Sequence, residues 1–385
     1  MIEGAVREAA GNVLTVLDGA DVDLVLLFIS EHHAEDYPEV PLLLRQHFPG
    51  ATIVGCSGGG VVGGGREIEH SPAVSLTVAS LPGVALRPFY LDSVQVDRII
   101  DAPESWHERL SVRIGEPLHF ILLPDPFSCD ARGLVDSLDQ AFPLSGKVGG
   151  LASGGQAPGE NALFIDDEVY PDGAVGVALN GPIAMDTIVA QGCRPVGPPL
   201  FVTKSFRNRI LELDGEKPTD VLAEIYETLE PHDRRLFRSS LFAGVVMTEG
   251  LHEYGHGDYL IRNIVGLDGD TGMVAISELV VPGQIIQFHL RDAAASARDL
   301  EVLLGRYRSG GSASPEGALM FACLGRGETL YGESDHDSRT IGRYLGPLPI
   351  GGFFCQGEIG PVNKQTHLHG YTSSIALFRE PTDND

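Results

Sequence analysis

Short apolar runs recur along this chain in a fixed order with amphipathic stretches and glycine clusters. "LVLLFIS" (24–30) is uninterrupted and predicts a strand buried on both faces. "VPLLLRQHF" (40–48) has helical spacing and ends at Pro49. "TIVGCSGGGVV" (52–62) reads as a strand running into a glycine turn, and "AVSLTVASLPG" (73–83) as a return strand. The order repeats in "LHFILLP" (118–124), "GLVDSLDQAF" (133–142) before Pro143, "KVGGLASGG" (147–155) and "AVGVALNG" (174–181). Phe48-Pro49 and Phe142-Pro143 stand 94 residues apart. A looser third copy follows: "ALMFACLGRG" (318–327), "SRTIGRYLG" (338–346) before Pro347, "IGGFFCQGEIG" (350–360) and "SSIALFR" (373–379). The pattern predicts a triplicated strand–helix–strand unit, with a period too long for a solenoid.

Between the second and third copies the pattern changes. "DTIVAQGCRPVGPPLFVTKS" (186–205), "RILELDG" (209–215), "YLIRNIVGLD" (259–268), "MVAISELVV" (273–281) and "QIIQFHLRD" (284–292) read as strands. "PTDVLAEIYETL" (218–229) is an amphipathic helix with Val221, Leu222, Ile225, Tyr226 and Leu229 on one face, and "ASARDLEVLLGRY" (295–307) is a second helix. The expected fold is α/β, in two domains (1–215 and 216–385), with mixed sheets built from related strand–helix–strand units.

The bulk numbers fit that picture. The chain has 385 residues, 43% hydrophobic and 21% charged, with 48 glycines. Its formal net charge of −26 disfavours nucleic acid and anionic membrane surfaces as partners, and "KSFRNR" (204–209) is the one dense basic cluster. Cys56, Cys129, Cys193, Cys323 and Cys355 are dispersed, without the pairwise spacing of a thiolate metal site or a disulfide framework. The opening residues lack a basic start and an apolar run, and no apolar stretch approaches membrane-spanning length, so a cytoplasmic location is expected.

Enzyme motifs are present but out of context. "HEYGH" (252–256) fits H-E-x-x-H, which needs a helix to bring both imidazoles to one zinc. Gly250, Gly255 and Gly257 argue for a loop or hairpin instead. "GCSGG" (55–59) fits G-x-S-x-G, and the following glycines fit G-x-G-x-x-G. Both require a helix after the turn, and the sequence offers another strand. The segment reads as a flexible turn needing positive φ, or as a cradle whose bare amides approach a small polar or anionic ligand. No catalytic set and no metal site is expected.

The C-terminal stretch is more specific. "CLGRG" (323–327), "PIGGFFCQGEIGPV" (349–362) and "HGYTSSIALF" (369–378) resemble the C-terminal domain of the FIST family. "IVGCSGGGVV" and "DGAVGVALNG" (172–181) resemble its N-terminal domain, and "RPVGPPLFVTKS" (194–205) resembles the junction. The resemblance implies an intracellular sensory module that binds small ligands such as amino acids. Relatives occur alone or joined to histidine kinases, cyclic-dinucleotide enzymes or an F-box, so signalling here would pass to a separate partner of that kind.

The expected ligand site comprises Gly55, Cys56, Ser57, Gly58, Cys323, Arg326, Gly357, Glu358, His369 and Thr372. Arg326 could hold a carboxylate with its planar fork. Glu358 could take an amino group, or pair with Arg326. Cys323 and Cys355 fit packed core thiols. Some family members are described as haem-based nitric oxide sensors. A haem reading would use His289 or His119, both in strand contexts, and no Cys-x-x-Cys-His is present for covalent attachment. Two further readings are a hydrolase using Ser57 and a scaffold that binds no ligand. If the copies pack on one another, the turns Ser57–Gly60 and Gly357–Glu358 would face each other across the domain interface.

Overall fold

A computed structural model describes residues 2–248, 250, 254, 255, 257–311 and 313–382. The chain forms two compact units. The larger comprises Met1–Val189, Glu301–Leu368 and Thr372–Asp385, and the smaller Ala190–Leu300 with His369–Tyr371. This partition differs from a division near residue 215, because the third copy folds with the first two.

In the first copy, β1 (Leu24–Ser30) and β2 (Thr52–Gly58) are parallel, joined through the helix Val40–His47, and β5 (Val74–Ala79) returns antiparallel to β1. The second copy repeats this with β7 (His119–Pro124), the helix Ala131–Ala141, β8 (Gly146–Gly150) and β11 (Ala174–Asn180). The third uses β19 (Gly317–Cys323), the helix His336–Leu345, β20 (Ile350–Cys355) and β23 (Thr372–Arg379). Parallel pairing demands such a crossover, which explains why an amphipathic helix separates each pair of apolar runs.

Every copy then surrenders a hairpin. The strands β3 (Gly60–Gly63) and β4 (Arg66–Glu69) follow β2, yet β3 pairs with β20, Val61 opposite Phe353. After β8 come β9 (Leu163–Ile165) and β10 (Glu168–Tyr170); β9 pairs with β2, Leu163 opposite Cys56. After β20 come β21 (Glu358–Val362) and β22 (Gln365–His369); β21 pairs with β8, Glu358 opposite Gly150. With β6 (Ala85–Leu91) and β12 (Ala184–Gln191) at two edges, the sheets run β10-β9-β2-β1-β5, β22-β21-β8-β7-β11-β6 and β12-β23-β19-β20-β3-β4. One buried cluster draws on all three copies, including Phe28, Ile121, Val148, Phe321 and Phe353. Phe28 stacks on Phe353 at 5.0 Å between centroids, and Phe321 meets both edge-on.

The recurrent glycines have a structural role that corrects the turn reading of 55–60. Gly55, Gly58 and Gly60 lie in strands, and positive φ in this region falls at Gly64 and Gly65. Gly55, Gly149 and Gly352 occupy equivalent registers opposite Leu27, Leu122 and Met320. A side-chain carbon at each would overlap the carbonyl oxygen of its partner on the first strand. Glycine is there because the parallel pair closes tightly.

In the smaller unit, β13 (Cys193–Phe206), β14 (Arg209–Leu213), β15 (Leu241–Val246), β16 (Tyr259–Leu267), β17 (Val274–Ile276) and β18 (Ile285–Arg291) close a barrel in the order β13-β14-β17-β16-β15-β18. Val196, Val202, Ile210 and Phe288 fill it, and the helix Pro218–Thr228 packs Val221, Leu222 and Ile225 into the same core. His252, Glu253 and His256 lie outside the described residues.

Gly55→Ala and Gly352→Ala should each lower unfolding free energy by about 3 kcal/mol or more, because a carbonyl in a ladder cannot retreat as a side chain can. Gly11→Ala, in the helix Ile2–Leu17 with nothing nearby, should be neutral or stabilise by up to about 1 kcal/mol. Urea unfolding of the three variants measures the contrast; equal effects would refute the close-approach explanation.

Candidate functional site

Most residues nominated from sequence are interior and already satisfied. Ser57 is fully buried. Its Oγ accepts from Ala162 N at 3.1 Å and donates to Asn161 Oδ1 at 3.4 Å. Cys56 lies in the core with its thiol pushed up by burial. Gly58 packs on Phe353. Gly357 gives its carbonyl to Leu151 N at 2.8 Å.

Glu358 is fully buried and binds its own neighbours. Thr372 donates to Oε2 from N at 2.9 Å and from Oγ1 at 2.7 Å, and the Cys355 thiol lies 3.6 Å from Oε1. Burial pushes this carboxyl up to about 7 despite those donors. Arg326, 1% exposed, pairs with Asp337. Asp337 also takes His336 Nδ1 at 2.9 Å, and Arg326 covers the Tyr331 ring. Burial opposes ionisation of Asp337, but Arg326 and His336 hold its carboxyl below the ordinary range. Cys323 is half-buried, in register with buried Cys355. His369 is buried in the smaller unit's portion of the chain, whereas Thr372 belongs to the larger.

The segments 55–60 and 356–360 are linked through residues 151–153, which follow β8: Leu151 N donates to Gly357 O at 2.8 Å and Gln356 N to Leu151 O at 3.2 Å. Ser153 N donates to Ser57 O at 3.1 Å, Gly59 N to Ser153 Oγ at 2.9 Å, and Ser153 Oγ to Phe354 O at 2.5 Å. Their meeting is inside one compact unit and tightly packed. The expectation of an interface between units is corrected accordingly. A Ser57 nucleophile finds no support in this geometry, since its hydroxyl is enclosed and engaged. His289 is buried on β18, with Nδ1 2.9 Å from Gln287 O, and His119 is half-buried at the start of β7.

An open cleft lies beside this interior. Its volume is about 790 Å³, and its walls come from Glu31 to Pro38, from Gly154 to Ala162 and from Asp167 to Pro171. Asn161 links the wall to the interior. Its Oδ1 accepts from Gly155 N at 2.9 Å, and its Nδ2 donates to buried Asp125 Oδ1 at 2.9 Å. Phe127 N and Ser128 Oγ satisfy the other oxygen of Asp125 at 3.1 and 2.7 Å. Because Asp125 offers only acceptors when ionised, it fixes which way the Asn161 amide points. Glu160 Oε2 braces the loop by accepting from Gln156 N and Ala157 N. Arg45 neutralises Asp167 at 2.8 Å, while Glu31 and Glu168 stay exposed. Tyr37 and Tyr170 supply aromatic faces, and Tyr170 stacks on Tyr90. Of the nominated residues, Ser57 bonds directly to this wall, through Asn161 and Ala162. Sequence reasoning missed the wall itself; its signal is "GGQAPGEN" (154–161), whose proline and polar residues mark a loop.

Among the described residues, no cluster of three or more His, Cys, Asp or Glu side chains is placed to hold a metal ion. Nor is any helix among them long and apolar enough to cross a membrane.

Comparison with known proteins gives a consistent assignment. The FIST N domain model matches residues 23–216, and the FIST C domain model matches residues 218–361. Uncharacterized protein Rv0628c of Mycobacterium tuberculosis is 37% identical over 377 residues, covering 98% of this chain and 96% of its own length. Uncharacterized protein Mb0898c of Mycobacterium bovis is 38% identical over 374 residues, covering 97% and 95%.

The buried Glu358 carboxyl makes a pH prediction. Its native value lies above its ordinary 4.5, so the folded state binds the proton more tightly. The stability this contributes is complete below about pH 4.5 and is lost as pH rises through about 7. Glu358→Gln keeps an acceptor for Thr372 without the charge. Between pH 4 and 8, wild type should lose about 3 kcal/mol relative to this variant. Urea unfolding across the range measures it, and a pH-independent difference would refute it.

Proposed function

The chain belongs to the FIST family, and on that premise we propose that it senses a small polar ligand in the cleft beside Asn161 and signals through a separate protein. FIST domains are sensory signal-transduction modules rather than enzymes. The observation that carries the ligand reading is the connection of the cleft to the interior. Asn161 touches the wall at Gly155, strand β2 at Ser57 and the end of β7 at Asp125. A ligand that shifts the Gly154–Gly155 wall changes the bonds of Asn161, and so alters two sheets at once. The volume falls within the usual range of small-molecule sites.

The lining also suggests the chemistry of the ligand. Its ionisable side chains are the carboxylates of Glu31, Glu160, Asp167 and Glu168 and the phenols of Tyr37 and Tyr170. An amine-bearing metabolite, an amino acid among them, fits acceptors and aromatic faces of this kind. The partner in this reading is a histidine kinase or a cyclic-dinucleotide enzyme, and the protein acts inside the cell.

Amino acids and small amines should raise the melting temperature in proportion to the logarithm of concentration well above Kd. Asn161→Ala should abolish the shift, and Glu31→Gln, an exposed change, should weaken binding about tenfold. Thermal-shift titration, confirmed by calorimetry, decides it. No response to any such compound, or an unchanged response in both variants, would overturn the assignment of the cleft.

A further inference from the structure

The dense basic cluster "KSFRNR" plays no part in the cleft. It occupies the end of β13 and the turn into β14 on the smaller unit's barrel. Beside it lie apolar side chains that the barrel leaves outside. Phe201 is 53% exposed, Phe206 59%, Leu279 68% and Val281 57%. Isolated exposed apolar residues are ordinary, but these sit on adjoining segments. Gly283 N donates to Val202 O at 2.8 Å, Ser205 Oγ to Val280 O at 2.7 Å, and Val280 N to Arg207 O at 2.8 Å. The stretch 279–283 therefore runs alongside residues 202–207, and the four side chains flank a common ladder.

The charges along this ladder are divided: Asp214 accepts from Phe201 N at 3.1 Å and Glu278 from Leu279 N at 3.0 Å, while the Phe206 end carries arginines. Arg209 stands directly across from Phe206, so both project from the same face. Arg207 lies over the Phe206 ring at 5.7 Å. Lys204 is paired with Glu212 at 3.3 Å, whereas Arg207 and Arg209 have no carboxylate partner among the described residues. In a chain of net charge −26, the turn at Phe206–Arg209 is a local reversal of sign. At physiological salt the field is screened within about 8 Å, so a partner close to this face meets the arginines rather than the whole-chain charge.

We propose that this face docks an acidic segment of a separate protein, with apolar side chains seated among Phe201, Phe206, Leu279 and Val281. The inference rests on the reading of the protein as a sensor with a separate partner, and supplies the chemistry of that partner. Arginine and exposed aromatic residues are the side chains that dominate binding energy at protein interfaces. Complementary charge sets encounter rate and register, while the apolar anchors hold the complex. Two copies of a chain this acidic repel one another, and so do the chain and an anionic bilayer.

The test uses the full chain and a fluorescein-labelled peptide in which aspartates and glutamates alternate with leucine and tryptophan anchors. A peptide with lysine in place of the acids is the control. Fluorescence anisotropy should give saturable binding of the acidic peptide that weakens with added salt, and little binding of the control. Phe206→Ser, or Arg207→Glu with Arg209→Glu, should weaken it at least tenfold, while circular dichroism shows these exposed changes leave the fold intact. Equal binding of both peptides, no binding, or unchanged affinity in the variants would overturn the proposal. So would co-sedimentation with phosphatidylserine vesicles, or self-association of the wild type, either being lost in the variants. The small-ligand melting shift is measured on the same proteins. If it persists while peptide binding fails, the docking surface falls and the sensory reading stands; the converse result removes the cleft and leaves this surface.

Discussion

Each sheet of the larger unit is completed by a hairpin that another copy supplies. The first copy gives β3–β4 to the third, the third gives β21–β22 to the second, and the second gives β9–β10 to the first. A parallel strand pair leaves an open edge, and an open edge needs cover. Here the cover comes in a closed cycle, so no copy is finished by its own chain segment alone. The donated hairpins also bond to the crossover helix of the sheet they join. Asp167 meets Arg45, Thr366 meets Asp139, and Glu67 accepts from Ser338 N. The aromatic contacts of Phe28 with Phe321 and Phe353 join the first copy to the third for the same reason.

This exchange accounts for the difference between motif and site. The glycine segments that give the chain its family resemblance lie where the donated hairpins turn away from their own sheets. There, close backbone approach and buried hydrogen bonds are at a premium, and ligand access is not. Arg326, Asp337 and Glu67 are brought into one buried group at such a junction, with Glu67 pushed up to about 7 by burial and by Asp337. The cleft opens at the corresponding junction of the first and second copies, where the loop before β9 is long enough to stand off from the segment Glu31–Glu39.

The triplicated unit was legible because buried parallel strands and crossover helices impose different hydrophobic periods, and both survive in the sequence. The continuous apolar runs at 24–30 and 118–124 mark β1 and β7 closely. The exchange was not legible, since an alternating hairpin such as Gly60–Glu69 carries no mark of which edge it will join. Gly55 looked like part of a ligand cradle because sequence shows the missing side chain but not the carbonyl that excludes it. Glu358 stands out in the sequence as an acid among glycines and apolar residues, yet it is held by Thr372 and Cys355. The Arg326–Asp337 pair escaped notice because Arg326 precedes the helix Gly327–Tyr331 and Asp337 lies in the first turn of the next helix, His336–Leu345, outside any regular spacing.

The cycle of donated hairpins has a consequence for how the chain is made. The family matches divide the sequence between residues 216 and 218, but the native sheets ignore that division. When a ribosome has released the first of those segments, β8 still lacks β21, and β3 still lacks β20. The nascent amino-terminal half therefore carries two open strand edges until nearly the whole polypeptide has emerged. Contacts so distant in sequence form slowly, and exposed edges in the interval invite pairing with neighbouring chains. The triplicate that lends the finished protein its closure makes its youth dependent on protection, and makes either half, expressed alone, a fragment rather than a domain.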